Sequence, residues 1–283
     1  MFGPPRFGKT RAITYVAKQL EAKFEGHLPI VVFLCREHKY PNENVFFEEF
    51  LTTLGHGFSA RGKSVEKRGR LSEYLRCMAA DNPHRRLVIF LDEAQNLQPQ
   101  HYKWLVDIYN DLDMSRVRPT FILVGQKELV ARRKAFVIAK RFQLVGRFMV
   151  NTHQFPGLSS PEEIRVCLHG YDENSDHPAG SGWSFTRFYF PTAYVHGWRL
   201  VGQAETIWQA FMEVKKKARL PGGDELPMQF FSYSVEYVMR KYGNLSDPEP
   251  HLSVQIWKEA VEKSGYHLCG DFITAEGFPD DLH

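Results

Sequence analysis

The sequence predicts an α/β fold in which a parallel sheet is flanked by helices and followed by a small helical lid. Three near-continuous apolar runs have the length of strands, namely Pro29–Glu37, Leu87–Gln95 and Thr120–Gln126. Such runs are typical of strands that are buried on both faces of a parallel sheet. Segments with helical periodicity separate them, which predicts a doubly wound core over residues 1–158 and a helical domain over residues 159–283.

The predicted helices of the core share apolar residues spaced three or four apart. They are Arg11–Phe24, Asn44–Leu54, Arg70–Ala80, His101–Asp111 and Lys127–Lys140. After them, Arg147–Phe155 alternates between apolar and polar residues and is predicted as an edge strand. The second half opens with a capping box at Ser160 and continues with predicted helices at Gly202–Arg219, Pro227–Tyr242 and Ser253–Ser264.

Composition argues against several classes of protein. Of the 283 residues, 43% are hydrophobic and 14% aromatic, enough for a substantial core, and the net charge of +3 is only mildly basic. The four cysteines are far apart without a C-x-x-C pair, which argues against a zinc site and a disulfide framework. No apolar run reaches the roughly 18 residues of a membrane span. We therefore expect a cytoplasmic protein without a membrane partner.

A glycine-containing segment near the start carries the first chemical signal. Gly3–Thr10, written GPPRFGKT, fits the pattern G-x-x-x-x-G-K-[ST] of a phosphate-binding loop. In such a loop the backbone amides surround phosphate oxygens, the lysine reaches the β- and γ-phosphates, and the hydroxyl binds Mg²⁺. The candidate ATP-binding residues are therefore Gly3, Pro4, Pro5, Arg6, Phe7, Gly8, Lys9, Thr10 and Arg11.

The place of this loop in the chain is unusual, because a phosphate-binding loop joins a buried parallel strand to a helix. Only Met1 and Phe2 precede Gly3, so the sequence does not contain the strand that should lead into the loop. We therefore expect a native start upstream of Met1, the present start being truncated or misassigned.

Two acids at the end of an apolar run give the second signal. Asp92 and Glu93 directly follow Leu91. An aspartate in this place can support Mg²⁺ together with Thr10, and the adjacent glutamate can orient or deprotonate the attacking water. Acids are also common where a strand meets its polar turn, so the pair becomes specific only together with the loop at Gly3–Thr10.

Four segments resemble the AAA+ ATPases of the TnsC/TniB transposition regulators and their ExeA- and MuB-like relatives, in the order GPPRFGKT, VIFLDEAQNL, ILVGQKEL and GRF. The similarity covers about residues 2–158. It implies a sheet ordered 5-1-4-3-2, in which the missing strand is central. It also implies that Gln126 senses the γ-phosphate and that Arg147, with Arg141 second, stabilises charge on the γ-phosphate of a neighbouring subunit.

The resemblance further implies a function for the whole protein. Members of the family use ATP and Mg²⁺ to assemble as homo-oligomeric rings or filaments on double-stranded DNA, where they present a platform to a transposase and a target-selection protein. Two alternatives stay open, an ExeA-like secretion ATPase and a nucleotide-dependent scaffold without turnover.

Basic residues offer weaker, independent support for DNA binding. The segment ARGKSVEKRGR brings together Arg61, Lys63, Lys67 and Arg68, and Lys39 follows the first apolar run. Phosphate contacts from such residues add affinity that depends on salt but not on base sequence. The competing interpretation is a solvated surface. The aromatic residues between 183 and 198 are likewise interpreted as core packing or a docking surface rather than as stacking platforms for bases.

Overall fold

The structure is a computed structural model that describes residues 1–243 and 246–270. The chain forms two compact units. The first contains Met1–Gly3 and Lys9–Phe155, and the second contains Pro4–Gly8 with the residues from Pro156 onward. The short loop between Gly3 and Lys9 therefore belongs to the second unit, although the residues on both sides of it belong to the first.

The first unit alternates helices and strands along the chain. The helices are α1 (Lys9–Lys23), α2 (Glu43–Thr53), α3 (Ser64–Ala80), α4 (Pro99–Met114), α5 (Glu128–Ile138) and α6 (Phe142–Phe148). The strands are β1 (Ile30–Leu34), β2 (Arg86–Asp92) and β3 (Arg118–Leu123). The predicted core helices and the three predicted apolar strands are confirmed. The largest boundary error is in α3, which begins at Ser64 rather than at Arg70.

The strands form a parallel sheet in the order β1-β2-β3, with Val31 of β1 opposite Ile89 of β2. The sheet continues past β3 through the first residues of the chain, because Phe2 pairs in parallel with both Gly125 and Gln154. Across the sheet the order is therefore Gln154, Phe2, β3, β2, β1. This is the order 5-1-4-3-2 that the resemblance implies, and the AAA+ type of α/β fold is confirmed.

Backbone hydrogen bonds hold Met1–Gly3 in the central position of this sheet. Written with the donor first, they are Met1–Leu123 (2.7 Å), Gly3–Gly125 (3.1 Å), Phe2–His153 (2.9 Å) and Phe155–Phe2 (2.7 Å). The first three residues thus lie where the sequence analysis expects the strand that leads into the loop.

The predicted edge strand Arg147–Phe155 is right in its place at the edge of the sheet but wrong in its bounds. Helix α6 runs through Phe148, and in this fully described segment only Gln154 pairs with the sheet, through Phe2. Leu144 and Phe148 are four residues apart and both are buried, so the apolar period that matters here is helical. The short alternation of apolar and polar residues in Arg147–Phe155 had instead predicted a strand.

The two faces of the sheet are covered unequally. On one face, α2 to α6 pack a large core in which Phe33 stacks on Phe50 with ring centroids 4.4 Å apart. On the other face, α1 contributes Ile13 to a small cluster with Phe90. Val32 of the edge strand β1 is 37% exposed. The prediction that this strand is buried on both faces is therefore wrong, because in the described residues β1 pairs on one side only, with β2, and α1 covers it only in part.

The second unit is helical in its described residues. Its helices are α7 (Pro161–Asp172), α8 (Phe185–Tyr189), α9 (Pro191–Val195), α10 (Ala204–Ala218), α11 (Met228–Tyr242) and α12 (Val254–Lys263). Phe190 is buried in the core of this unit together with Trp257, which confirms core packing for that aromatic residue. None of the helices in the described part of the chain has both the length and the apolar character needed to cross a membrane.

Candidate active site

The two residues that flank the phosphate-binding loop are held together in the first unit. Gly3 lies so close to the backbone that a Cβ atom there would be 2.7 Å from the carbonyl oxygen of Phe155, so only glycine fits. The ammonium group of Lys9, a buried residue, donates a hydrogen bond to the carbonyl oxygen of Gly3 at 2.8 Å. The motif lysine therefore folds back toward the start of its own loop, where the motif predicts the phosphates.

Within the second unit, the loop itself rests on the start of α11. The backbone N–H of Gln229 donates to the carbonyl oxygen of Arg6 at 3.1 Å, and the Arg6 guanidinium lies 5.5 Å from the ring centroid of Phe230. Gly8 has φ +96°, and a Cβ atom there would lie 3.3 Å from Met228 Cβ. Positive φ at Gly8 and at Arg6 (69°) gives the loop its tight turn.

The hydroxyl of the loop threonine reaches the acid at the end of β2. Thr10 Oγ1 donates to Asp92 Oδ2 at 2.7 Å, across 82 residues of sequence. Asp92 is only 2% exposed, and its other oxygen accepts the backbone N–H of Glu93 at 3.0 Å. The sequence analysis assigned Mg²⁺ to these two side chains, and the structure brings them into contact.

The donor set fits Mg²⁺, which prefers hard oxygen ligands and is usually held by one or two carboxylates together with substrate phosphates. A hydroxyl and a buried carboxylate in contact supply such oxygens. Among the described residues, no group of three or more His, Cys, Asp or Glu side chains is arranged to hold a metal ion. A site built on one carboxylate is the arrangement expected when phosphate completes the coordination.

Glu93 sits on a strained turn directly after Asp92. Its backbone has φ 53° and ψ 37°, a left-handed conformation that costs a non-glycine residue about 1–3 kcal/mol. The short 3₁₀ helix Ala94–Asn96 follows at once, and the N–H of Ala94 donates to Val124 O at 2.8 Å. The Glu93 side chain beside this turn is half-buried.

Gln95, between Glu93 and the end of β3, is a residue of the candidate site that the sequence motifs did not predict. Its Nε2 donates to Glu93 Oε2 at 2.5 Å, and its Oε1 accepts the backbone N–H of Gln126 at 3.2 Å. Gln126, the predicted γ-phosphate sensor, follows β3 and is half-buried. The signal in the sequence was an amide two residues after the glutamate, on a turn between two strand ends.

The predicted arginines lie on or beside α6. Arg147 is half-buried, and its guanidinium lies 5.0 Å from the ring centroid of Tyr109. Arg141 precedes α6 and is exposed. Arg133, on α5, donates from Nε to the carbonyl oxygen of Met149 at 2.9 Å and is structural. The action of Arg147 across a subunit interface stays a prediction.

The predicted DNA contacts divide into exposed and inward-facing residues. Lys39, Arg61 and Lys63 are exposed. Lys67 is only 1% exposed, and its ammonium pairs with Glu48 at 2.5 Å. The prediction that Lys67 contacts DNA is therefore wrong, because its ammonium is buried and already paired with the carboxylate of Glu48.

Arg68 and Arg70, in the same basic segment, also make contacts within the protein. Arg68 Nη1 lies 3.2 Å from an Asp107 oxygen and 3.9 Å from Glu43. Arg70 donates to the backbone carbonyl oxygens of Phe58 and Arg61. Arg68 thus ties α3 to α2 and α4, and Arg70 ties it to the loop before it, so the exposed basic surface is smaller than the sequence suggested.

Comparisons with known proteins agree with this fold. Residues 1–132 match the family model described as an AAA domain. The structure is similar to that of the Aeropyrum pernix ORC2 protein in its ADPNP–ADP complexes (TM-score 0.55, 13% identity, 93% of this chain and 60% of that one) and in its ADP form (TM-score 0.55, 15% identity, 93% and 61%). The chain thus spans about three fifths of the ORC2 chains. No curated protein sequence matches it.

The low identities to ORC2 carry the fold alone, and the family match covers the segment with the loop, the acids and Gln126. Both agree with the α/β fold and the parallel sheet described above. Residues 1–132 match an AAA domain, and the chain has the α/β fold of an AAA+ P-loop ATPase.

Proposed function

We propose that this chain is an ATP-binding and ATP-hydrolysing AAA+ regulator of DNA transposition that assembles on double-stranded DNA and recruits a transposase and a target-selection protein. The observation that carries the ATPase part is the 2.7 Å contact between Thr10 and the buried Asp92, with Lys9 as the neighbour of Thr10. The ADPNP and ADP complexes of the similar ORC2 structures support a nucleotide as the ligand.

Each residue has a distinct part in this proposal. The backbone amides of the loop bind phosphate oxygens, and Lys9 exchanges the carbonyl oxygen of Gly3 for the β- and γ-phosphates. Thr10 and Asp92 would hold Mg²⁺, which would supply positive charge beside the phosphates. Glu93 orients the attacking water and accepts its proton, while Gln126 contacts the γ-phosphate.

The finer part of the proposal, DNA transposition, rests on the order of the four motifs and on exposed basic residues. Lys39, Arg61 and Lys63 have side chains in solvent, where they are available to DNA phosphates. Recruitment of a transposase and assembly into rings or filaments are supported by the resemblance alone. The ATPase part and the DNA part therefore need separate tests.

The ATPase part is tested by fluorescent ATP binding and by phosphate release. Lys9→Ala should weaken ATP binding by about 10- to 100-fold, because a buried charged donor to phosphate is lost. Glu93→Gln should keep ATP binding and lower turnover by about 100-fold or more. Lys18→Ala, on an exposed position of the same helix, is the matched control. ATP binding without wild-type turnover would favour the scaffold alternative, and no binding at all would overturn the proposal.

The DNA part is tested by fluorescence anisotropy with a random-sequence duplex at two salt concentrations, with ATP, with ADP and without nucleotide. We expect binding that requires ATP and weakens at higher salt as phosphate contacts are screened. A protein that binds ATP but binds DNA equally with and without it would remove the transposition proposal and leave the ATPase proposal in place.

A further inference from the structure

Gln95 connects the two strand ends that carry the candidate catalytic groups. We propose that Gln95 is a positioning residue, which holds the carboxylate of Glu93 and couples it to the backbone of Gln126. The inference rests on the proposed ATPase function and deepens it, because it adds a residue to which the motifs gave no role and predicts how the γ-phosphate sensor and the water-orienting group act together.

The carboxamide of Gln95 makes two different hydrogen bonds. It donates from Nε2 to Glu93 Oε2 at 2.5 Å and accepts at Oε1 from the backbone N–H of Gln126 at 3.2 Å. One group must therefore be a donor on one side and an acceptor on the other. Glutamate has no donor when ionised and asparagine is one methylene shorter, so the two bonds together require glutamine at this place.

The orientation of the amide follows from its partners. If the amide were turned over, Nε2 would face the N–H of Gln126, donor against donor, and Oε1 would face the Glu93 carboxylate, acceptor against acceptor. Both contacts would be repulsive. The carboxylate of Glu93 and the N–H of Gln126 therefore select a single orientation, and Gln95 transmits a change on one side to the other.

The surrounding backbone keeps Gln95 between the strand ends. The turn before it is anchored to β3 through the bond from Ala94 N to Val124 O, and the residue after it, Asn96, donates from its side chain to Cys35 O at 2.9 Å. The position opposite the amide is Gly125, where a Cβ atom would lie 2.4 Å from Gln95 Oε1. Glycine at this position leaves the space that the amide occupies.

This geometry assigns a task to each oxygen of Glu93. Oε2 is held by Gln95, which fixes the side chain and leaves Oε1 to face a water molecule. Because the other end of the same amide holds the backbone of Gln126, a shift of that residue on contact with the γ-phosphate moves Gln95 and so Glu93. Gln95 thus acts on turnover and has little effect on nucleotide affinity.

The experiment compares Gln95→Glu and Gln95→Ala with the wild type in ATP affinity, kcat and KM. Gln95→Glu keeps the length and the acceptor for Gln126 but loses the donor and places a second carboxylate beside Glu93. We expect kcat to fall by about 10- to 100-fold in both variants, the loss expected for a hydrogen bond to a charged group, with ATP affinity changed less than about 2-fold. Gln143→Glu, an exposed position on α6, makes the same change of charge elsewhere and should have no effect.

A double-mutant comparison separates positioning from a general structural effect. If Gln95 acts through Glu93, Gln95→Ala should lower the residual kcat of Glu93→Gln by less than about 2-fold, because the two residues form one unit. A further large loss on that background would overturn the proposal, as would equal losses of affinity and kcat in the single variant. Circular dichroism of each variant verifies folding.

Failure of the ATPase proposal has a different result. A wild type that binds ATP without turnover overturns both proposals at once, before any variant is compared. A wild type that turns over ATP and a Gln95→Ala variant with unchanged kcat overturn only the role of Gln95.

Discussion

The candidate active site around Thr10 and Asp92 and the basic segment before and within α3 differ in how well the sequence predicted the positions of their residues. Thr10 and Asp92 are 82 residues apart in sequence and lie in hydrogen-bond contact. Arg61 and Lys67 are six residues apart, yet the first is exposed and the second is buried. A motif with fixed backbone geometry therefore predicted a place in the structure, whereas a run of like charges did not.

The reason for the difference is the position of each residue relative to its helix. Lys67 lies four residues before Leu71 and eight before Leu75, on the face of α3 that is buried. Because the predicted helix began at Arg70, Lys67 was assigned to a loop. A start at Ser64 would have placed it on the apolar stripe with Leu71 and Leu75.

The largest effect is expected at the candidate active site, where Thr10 contacts Asp92. Asp92→Ala removes the carboxylate that accepts the hydrogen bond of the Thr10 hydroxyl and should lower ATP turnover by about 100-fold or more, since a metal ligand contributes several kcal/mol to charge stabilisation. The measurement is phosphate release as a function of Mg²⁺ concentration.

The control for the charge change is Asp113→Asn, which replaces an exposed carboxylate near the end of α4. Wild-type turnover and unchanged Mg²⁺ dependence in Asp92→Ala would show that the contact with Thr10 is structural. The motif would then have predicted the position of Thr10 and Asp92 but not their function.

The second prediction concerns the ion pair between Lys67 and Glu48. Glu48→Ala leaves the ammonium of Lys67 buried without its carboxylate and should lower the free energy of unfolding by about 2 kcal/mol. This is less than for a fully buried pair, because the Glu48 side chain is 39% exposed. Lys67→Met, which keeps the length and removes the charge, should cost less than about 1 kcal/mol.

Urea denaturation measures both variants, with Lys63→Ala as the exposed control, expected to change stability by less than about 0.5 kcal/mol. If Glu48→Ala were as mild as Lys63→Ala, the pair would contribute nothing and Lys67 would return to the set of candidate DNA contacts.

The central architecture could be predicted from the sequence because its signals are local. Apolar runs of strand length and the spacing of Gly3, Lys9 and Thr10 need no knowledge of the rest of the chain. The bounds of the edge strand at Arg147–Phe155 were wrong because its first residues belong to α6, whose buried pair Leu144 and Phe148 starts before the alternating stretch.

Gln95 could not be assigned because its two partners come from different strands, and only the folded sheet brings those strand ends together. The same reason applies to the central place of Phe2 between Gly125 and Gln154. A single sequence shows which residues have the required chemistry, but it does not show which non-local neighbours they will contact.

The third prediction tests what is left of the basic surface. The double change Arg61→Ala and Lys63→Ala should weaken DNA binding and reduce the slope of log affinity against log salt by about 2, one unit for each lost phosphate contact. Lys67→Met is the matched control and should leave the slope unchanged, because that side chain is buried. A slope that falls for Lys67→Met and stays constant for the double variant would reverse the division between inward and outward residues.

The smallest effect is expected at His101. Like Lys67, it is a buried basic residue, and it lies in the layer formed by α2, α3 and α4. It is only 3% exposed, and its Nδ1 accepts the backbone N–H of Gln98 at 2.9 Å. Burial lowers the pKa of His101 below its ordinary value of 6.5. The unfolded chain therefore binds a proton more readily than the folded protein, and the folded state loses stability as the pH falls through and below 6.5.

His101→Gln retains an acceptor at the third position of α4 and removes the titration, so the variant should be less sensitive to pH between about 7 and 5 than the wild type. One group contributes a slope of at most about 1.4 kcal/mol per pH unit to the free energy of unfolding. Urea denaturation at several pH values measures the slope, and His84→Gln, an exposed position, should keep the wild-type dependence. Equal slopes in His101→Gln and the wild type would mean that burial does not oppose protonation of the imidazole. His101 would then behave like an exposed basic residue such as Arg61.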